Sequence, residues 1–275
     1  MDRDKWQRFL IGDFSWKRLV RAVLFVYLSF CIIIYFGADR LMFHPGISSH
    51  GEFEKDIMIL TADGELISAL YRPVDSSDYT ILFSHGNAEA LRDMDGIFAR
   101  FNEFGFSVFG YDYRGYGASE GRPTERNSYE DIDAAFEYLT MELGVPARRV
   151  IVYGRSIGGG PSTDLASRRS VAGLILESTF VTAFRVRTHV PIVPFDRFDN
   201  LSKIAKVHCP VLIMHSLDDE LILPWHGEAL FEKAASPKQA LWIEEAGHGG
   251  IPFAAPARYR EALLNFARLI DSQSP

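Results

Sequence analysis

Ser156 stands in Gly154-Arg155-Ser156-Ile157-Gly158, a G-x-S-x-G pattern, and nowhere else in the chain is nucleophilic chemistry so well provided for. An apolar run at 150–153 precedes the pattern, and a helix-forming stretch follows Gly159-Gly160. A serine on a tight strand-to-helix turn projects its hydroxyl above a sheet. Flanking glycines remove Cβ atoms that would collide where strand and helix converge. The helix that follows aims its positive end at the reaction centre. A serine hydroxyl is a weak nucleophile until a base takes its proton, and that base needs a carboxylate to orient it.

Around such a turn the partners follow in the order serine, acid, histidine. His248, in Ala246-Gly247-His248-Gly249-Gly250 after the last strand-like run, occupies the base's place. His189 falls in a long interruption, His208 and His226 lie outside strand-end loops, and His215 precedes the acid. Asp218, Asp219 and Glu220 follow the run at 211–215. Asp219 is the expected acid, because Leu221-Ile222 turns the chain back into the protein; Asp218, nearer solvent, is the alternative. A tetrahedral intermediate needs two donors for its oxyanion. These are expected to be the backbone N–H of Ile157 and that of Asn87, in His85-Gly86-Asn87-Ala88 after the run at 79–84. His85 is read as a packing residue. Asp112-Tyr113-Arg114-Gly115-Tyr116-Gly117 is expected to shape the pocket, with no catalytic step given to Asp112 or Arg114.

The elements that must position these groups alternate along the chain. Strand-like stretches at 53–60 and 66–71 flank Asp63-Gly64 and read as a hairpin. Apolar runs at 79–84, 106–111, 150–153, 173–176, 211–215 and 240–243 then alternate with helical stretches at 89–104, 128–143, after 159, and 257–270. This order predicts a mainly parallel sheet covered on both faces, with functional groups at the carboxyl ends of its strands. The segment 180–207, with Pro191, Pro194 and several aromatics, is expected to form a small cap.

A formal net charge of -7 over 275 residues argues against a broad basic face for nucleic acid. Two cysteines, Cys31 and Cys209, make no disulfide framework, and no Cys/His spacing suggests a metal site. No metal or organic cofactor is expected. Residues 22–38 carry no formal charge, and as a helix they would span roughly 25 Å against a hydrocarbon core of roughly 30 Å. Phe36 stands where signal cleavage would want a small residue, so an uncleaved transmembrane signal anchor is expected. Arg3, Lys5, Arg8, Lys17, Arg18 and Arg21 precede it, and Arg40 and Lys55 follow. That bias predicts a cytoplasmic segment 1–21 and a domain 39–275 on the other side of the membrane. Asn200-Leu201-Ser202 is a candidate glycosylation acceptor if that side is a eukaryotic lumen, and a bacterial periplasm is equally open.

From about residue 40 to 270 the four motifs together resemble the α/β-hydrolase superfamily. Within it they are similar to small membrane-tethered serine hydrolases related to the protein depalmitoylases. The resemblance implies an α/β-hydrolase fold and cleavage of carboxylic ester or thioester bonds through an acyl-enzyme, on an ester, thioester or lipid-like substrate. The N-terminal cysteine cluster of some of those relatives is absent, and Gly249-Gly250 stand where many carry polar residues. A serine peptidase of the same fold is the enzymatic rival, and a membrane-anchored scaffold the non-enzymatic one. Nothing in the sequence sets an oligomeric state.

Overall fold

The computed structural model describes residues 15–45, 57–235 and 237–273. Arg3, Lys5, Arg8 and Lys55, and residues 53–56 of the expected first strand, lie outside them. The chain divides into two compact units, Met1–Met42 and Phe43–Pro275. The first contains helix α1, Trp16–Met42, of 27 residues. At the α-helical rise it is roughly 40 Å long, more than the roughly 30 Å hydrocarbon core. Phe25, Val26, Ile33 and Phe36 are exposed on it, and it is long and apolar enough to cross a membrane.

The second unit is built on an eight-stranded sheet in the order β1-β2-β4-β3-β5-β6-β7-β8. The strands are β1 Ile57–Leu60, β2 Leu66–Arg72, β3 Thr80–Ser84, β4 Ser107–Tyr111, β5 Val150–Arg155, β6 Gly173–Glu177, β7 Val211–Ser216 and β8 Lys238–Ile243. β1 and β2 form the expected hairpin around Asp63-Gly64, and β2 pairs antiparallel with β4. From β3 to β8 all pairings are parallel. β3, β4, β6 and β7 are buried along their whole length. A strand covered on both faces needs an unbroken apolar run such as Ile81-Leu82-Phe83.

The helices are α2 Asp95–Glu103, α3 Glu125–Glu137, α4 Gly159–Arg168, α5 Arg185–Thr188, α6 Asn200–Ile204, α7 Trp225–Lys233, α8 Ile251–Ala254 and α9 Pro256–Gln273. Ile81 and Phe83 of β3 share a core with Phe98 and Phe101 of α2 and with Tyr259, Leu263 and Phe266 of α9. Alternation along the strand turns buried Leu82 to the opposite face. α3 begins three residues before the expected start at 128, because Thr124 caps it by accepting the Asn127 N–H at 3.0 Å. α7 was not among the expected helices; Pro224 stands at its N-cap.

The segment 180–207 folds on itself. Asp196 accepts from the Phe184 N–H at 2.8 Å and the Thr182 hydroxyl at 2.7 Å. Asn200 is fully buried, and its amide donates to Phe180 O at 3.0 Å. This overturns the expectation of a glycosylation acceptor there, since the side chain already serves the interior.

Candidate active site

The turn after β5 is set by steric demand. Ser156 has φ 54°, in the left-handed region, a strain that is kept only where the surroundings enforce it. A Cβ on Gly154 would stand 2.6 Å from Gly159 Cα, and one on Gly158 would overlap Ser84 O. The loop leaving β3 therefore lies directly against the start of α4. Thr179, after β6, donates to Ser156 O at 2.7 Å and ties the turn from the other side. Ala88 and Glu245 also have positive φ, so the ends of β3, β5 and β8 all turn sharply at this edge of the sheet.

Ser156 Oγ lies 3.0 Å from His248 Nε2, and His248 Nδ1 lies 2.8 Å from Asp219 Oδ2. With Nδ1 protonated, the imidazole donates to the carboxylate and leaves Nε2 to accept the serine hydroxyl. Asp219 is buried and its other oxygen accepts from the Leu221 and Ile222 amides at 3.0 and 2.9 Å. Burial alone would raise its pKa; the His248 hydrogen bond and the Ile222 amide outweigh that and hold it below the usual carboxylate value. Asp218 is exposed and points elsewhere. It accepts from the Ser216 hydroxyl and from the Ala246 and Gly247 amides at 3.2 and 3.3 Å. The alternative acid thus holds the histidine loop without touching the histidine.

Ile157 opens the turn into α4 and is buried. Asn87 is fixed by its side chain: Oδ1 accepts from Tyr116 Oη at 2.6 Å and from the His44 N–H at 2.9 Å. His85 is buried, donates through Nδ1 to Gly86 O at 2.8 Å, and packs its ring 4.4 Å from that of Tyr113. Asp112 and Arg114 are tied up separately. Asp112 accepts the Leu91 N–H at 2.9 Å, while Arg114 pairs with Asp131 at 2.6 Å, Glu130 at 2.9 Å and Asp63.

Sequence reasoning gave no part to Thr179, His44, Glu89 or the side chain of Arg155. Arg155 is one of the two variable residues of G-x-S-x-G, where the pattern accepts any side chain, and the others lie 23 to 112 residues from the serine with no motif of their own.

A family model described as "Serine aminopeptidase, S33" matches residues 75–198. The human "Alpha/beta hydrolase domain-containing protein 17B" is 42% identical over 228 residues, covering 78% of this chain and 76% of that protein. The Caenorhabditis elegans "Alpha/beta hydrolase domain-containing protein aho-3" is 41% identical over 200 residues, 72% of this chain but only 60% of that protein. Among solved structures, the Pyrococcus furiosus esterase Pf2001 superposes with a TM-score of 0.70 at 16% identity, over 82% of this chain and 97% of that one. An Exiguobacterium antarcticum esterase gives 0.61 at 18% identity, over 77% and 98%. At such identities these structures speak for the fold alone. The sequence relatives go further: the chain belongs to the α/β-hydrolase superfamily, in the depalmitoylase-like group of the domain-containing protein 17 relatives.

Proposed function

We propose that this protein is a serine hydrolase that cleaves carboxylic ester or thioester bonds through an acyl-enzyme. The observation that carries the reading is the relay from Ser156 Oγ to His248 Nε2 at 3.0 Å and from His248 Nδ1 to Asp219 at 2.8 Å. Ser156 Oγ attacks the carbonyl carbon as its proton passes to His248 Nε2, and buried Asp219 balances the imidazolium. The backbone N–H groups of Ile157 and Asn87 receive the oxyanion. Collapse of the tetrahedral intermediate expels the alcohol or thiol, which takes the proton from His248. Water then repeats the sequence on the acyl-enzyme, with His248 as base. In this reading α1, which contains residues 22–38, tethers the enzyme with residues 1–21 cytoplasmic. The domain 39–275 lies on the other side of the membrane, near lipid-like acyl substrates, with 180–207 as its cap. Protease protection of the C-terminal domain in sealed vesicles tests that orientation, and digestion from the cytoplasmic side refutes it.

A fluorophosphonate probe tests the chemistry. The full chain should label, and Ser156→Ala should not, with turnover of p-nitrophenyl acetate falling on the order of 10⁵-fold. A folded parent that stays unlabelled removes the proposal. The match described as a serine aminopeptidase favours one second reading, cleavage of aminoacyl amides by the same serine. Faster turnover of aminoacyl p-nitroanilides than of acyl esters would install it.

A further inference from the structure

Arg155 is the residue beside the candidate nucleophile, and its side chain is only 13% exposed. Its guanidinium has three neighbours. Nη2 donates to Gly249 O at 2.8 Å, Nη1 lies 3.3 Å from Glu89 Oε1, and Nε lies 3.8 Å from Glu177 Oε1. Glu89 uses its other oxygen to accept the Gly86 N–H at 2.7 Å. Glu177 is buried at the end of β6 and accepts the Tyr153 hydroxyl. Gly249 is the residue after His248, and Gly86 is the residue before Asn87. One guanidinium therefore reaches the backbone next to the base directly, and the backbone next to the oxyanion donor through a single carboxylate. The position of Gly249 follows from the same contact. It has φ 75°, and a Cβ there would overlap Arg155 Nη2.

We propose that Arg155 is a positioning residue that fixes the histidine loop and the Asn87 loop against the Ser156 turn as one unit. This rests on the serine-hydrolase reading of Ser156, His248 and Asn87. The chemistry of the side chain suits the task. A planar guanidinium holds several acceptors at fixed angles and stays charged at every working pH, whereas an ammonium on a flexible stem satisfies one acceptor at a time. The Gly249 bond is charge-assisted, the two carboxylate contacts are ion pairs, and all are mostly withdrawn from solvent, so they are stronger than those of an exposed surface pair.

The test uses the full chain in detergent micelles, with Arg155→Met, Arg155→Lys and Glu89→Gln. Two readouts are taken: steady-state hydrolysis of p-nitrophenyl acetate, and amide hydrogen exchange resolved over 86–88 and 247–250. Misplacing reacting groups by about 1 Å costs on the order of 10²-fold. Arg155→Met should therefore lower kcat by about 10- to 100-fold with KM within about twofold, and amide exchange should accelerate at both loops together. Arg155→Lys should restore protection at one loop only. Glu89→Gln should lower kcat by about 3- to 10-fold in the parent and add little to Arg155→Met, since both break one bridge. The proposal is overturned if exchange in Arg155→Met changes at neither loop or at one alone, or if its kcat stays within about twofold of the parent. Should Arg155→Met not fold, Arg155→Lys and Glu89→Gln replace it: exchange should then accelerate at one loop in Arg155→Lys and at 86–88 in Glu89→Gln, and no change at either loop in both variants overturns the proposal. A parent that hydrolyses nothing counts against the serine-hydrolase reading, and the exchange measurement still decides the coupling.

Discussion

The turn that carries Ser156 and the loop that carries His248 meet at 3.0 Å, but they are held by different means. Around Ser156 the hold is steric and largely backbone: a Cβ on Gly158 would overlap Ser84 O, and one on Gly154 would crowd Gly159. Around His248 the hold is polar and comes from afar. Asp219 lies 29 residues back, Asp218 accepts from the Ala246 and Gly247 amides, and Arg155 reaches Gly249 O. A Cβ at Gly247, by contrast with Gly158, would meet nothing within 4 Å, and steric closure enters this loop only beyond the histidine, where a Cβ at Gly249 would overlap Arg155 and one at Gly250 would overlap Ala246 O. Local geometry sets the serine, and the convergence of distant partners sets the histidine.

The sharpest way to break this contrast is at the two adjacent aspartates. Asp219→Asn keeps the shape but takes the charge from beside the imidazole and favours the wrong tautomer. It should lower kcat/KM for p-nitrophenyl acetate by about 10³- to 10⁴-fold. Asp218→Asn keeps an amide oxygen to accept from Ser216 and from the Ala246 and Gly247 amides at an exposed position, and its loss should stay within about 10-fold. Equal losses would mean that the acid loop has no division of labour between them. The steric side is tested by alanine. Gly158→Ala forces Ser84 and its strand to move and should cost about 3 kcal/mol or more of stability. Gly247→Ala has space and pays only for φ 58°, about 1 kcal/mol. Thermal denaturation of the pair measures both, and similar losses would show that the histidine loop is sterically enforced as well.

The same contrast governs what could be read from the sequence. The parallel strands were legible because each is a short apolar run between polar turns. The Ser156 turn was legible because sterics demand glycine at fixed local spacings. The preference for Asp219 drew on Leu221-Ile222 together, but only Ile222 is buried; Leu221 is 43% exposed. The part played by Arg155 was not legible, because a G-x-S-x-G pattern leaves that position open and its partners Glu89 and Gly249 lie 66 and 94 residues away. The Asn200 tripeptide failed for a related reason, since a sequence pattern carries no record of burial. Thr124 before α3 was a local signal of the kind that caps helices, and placed the start where a hydrophobic pattern alone put it late.

Acid should probe the histidine side in particular, because two buried histidines, His215 and His226, lie close to the Asp219 loop. His226 is fully buried, accepts the Val181 N–H at 3.2 Å, and stacks 3.7 Å from Trp225. Burial pushes its pKa down to about 4, helped by the charges of His215 and Arg185. Burial also lowers His215, whose Nε2 lies 2.7 Å from Ile222 O and 3.6 Å from Asp219. The unfolded chain protonates a histidine near pH 6.5 while the fold keeps His226 neutral to about 4. His226 therefore lowers stability as pH drops through that window, by about 2 kcal/mol at pH 5 relative to pH 7, while Asp131, whose burial raises its pKa to about 6, works against it. Asp219 contributes in the same sense but in a lower range. Its carboxylate is favoured in the fold, so its stabilisation is intact above the unfolded pKa of about 4 and is lost only below it. His226→Asn keeps an acceptor for Val181 and does not titrate, so its melting temperature should fall less than the parent's, or rise, between pH 7 and 5. An undiminished fall in the variant would place the acid-sensitive group elsewhere.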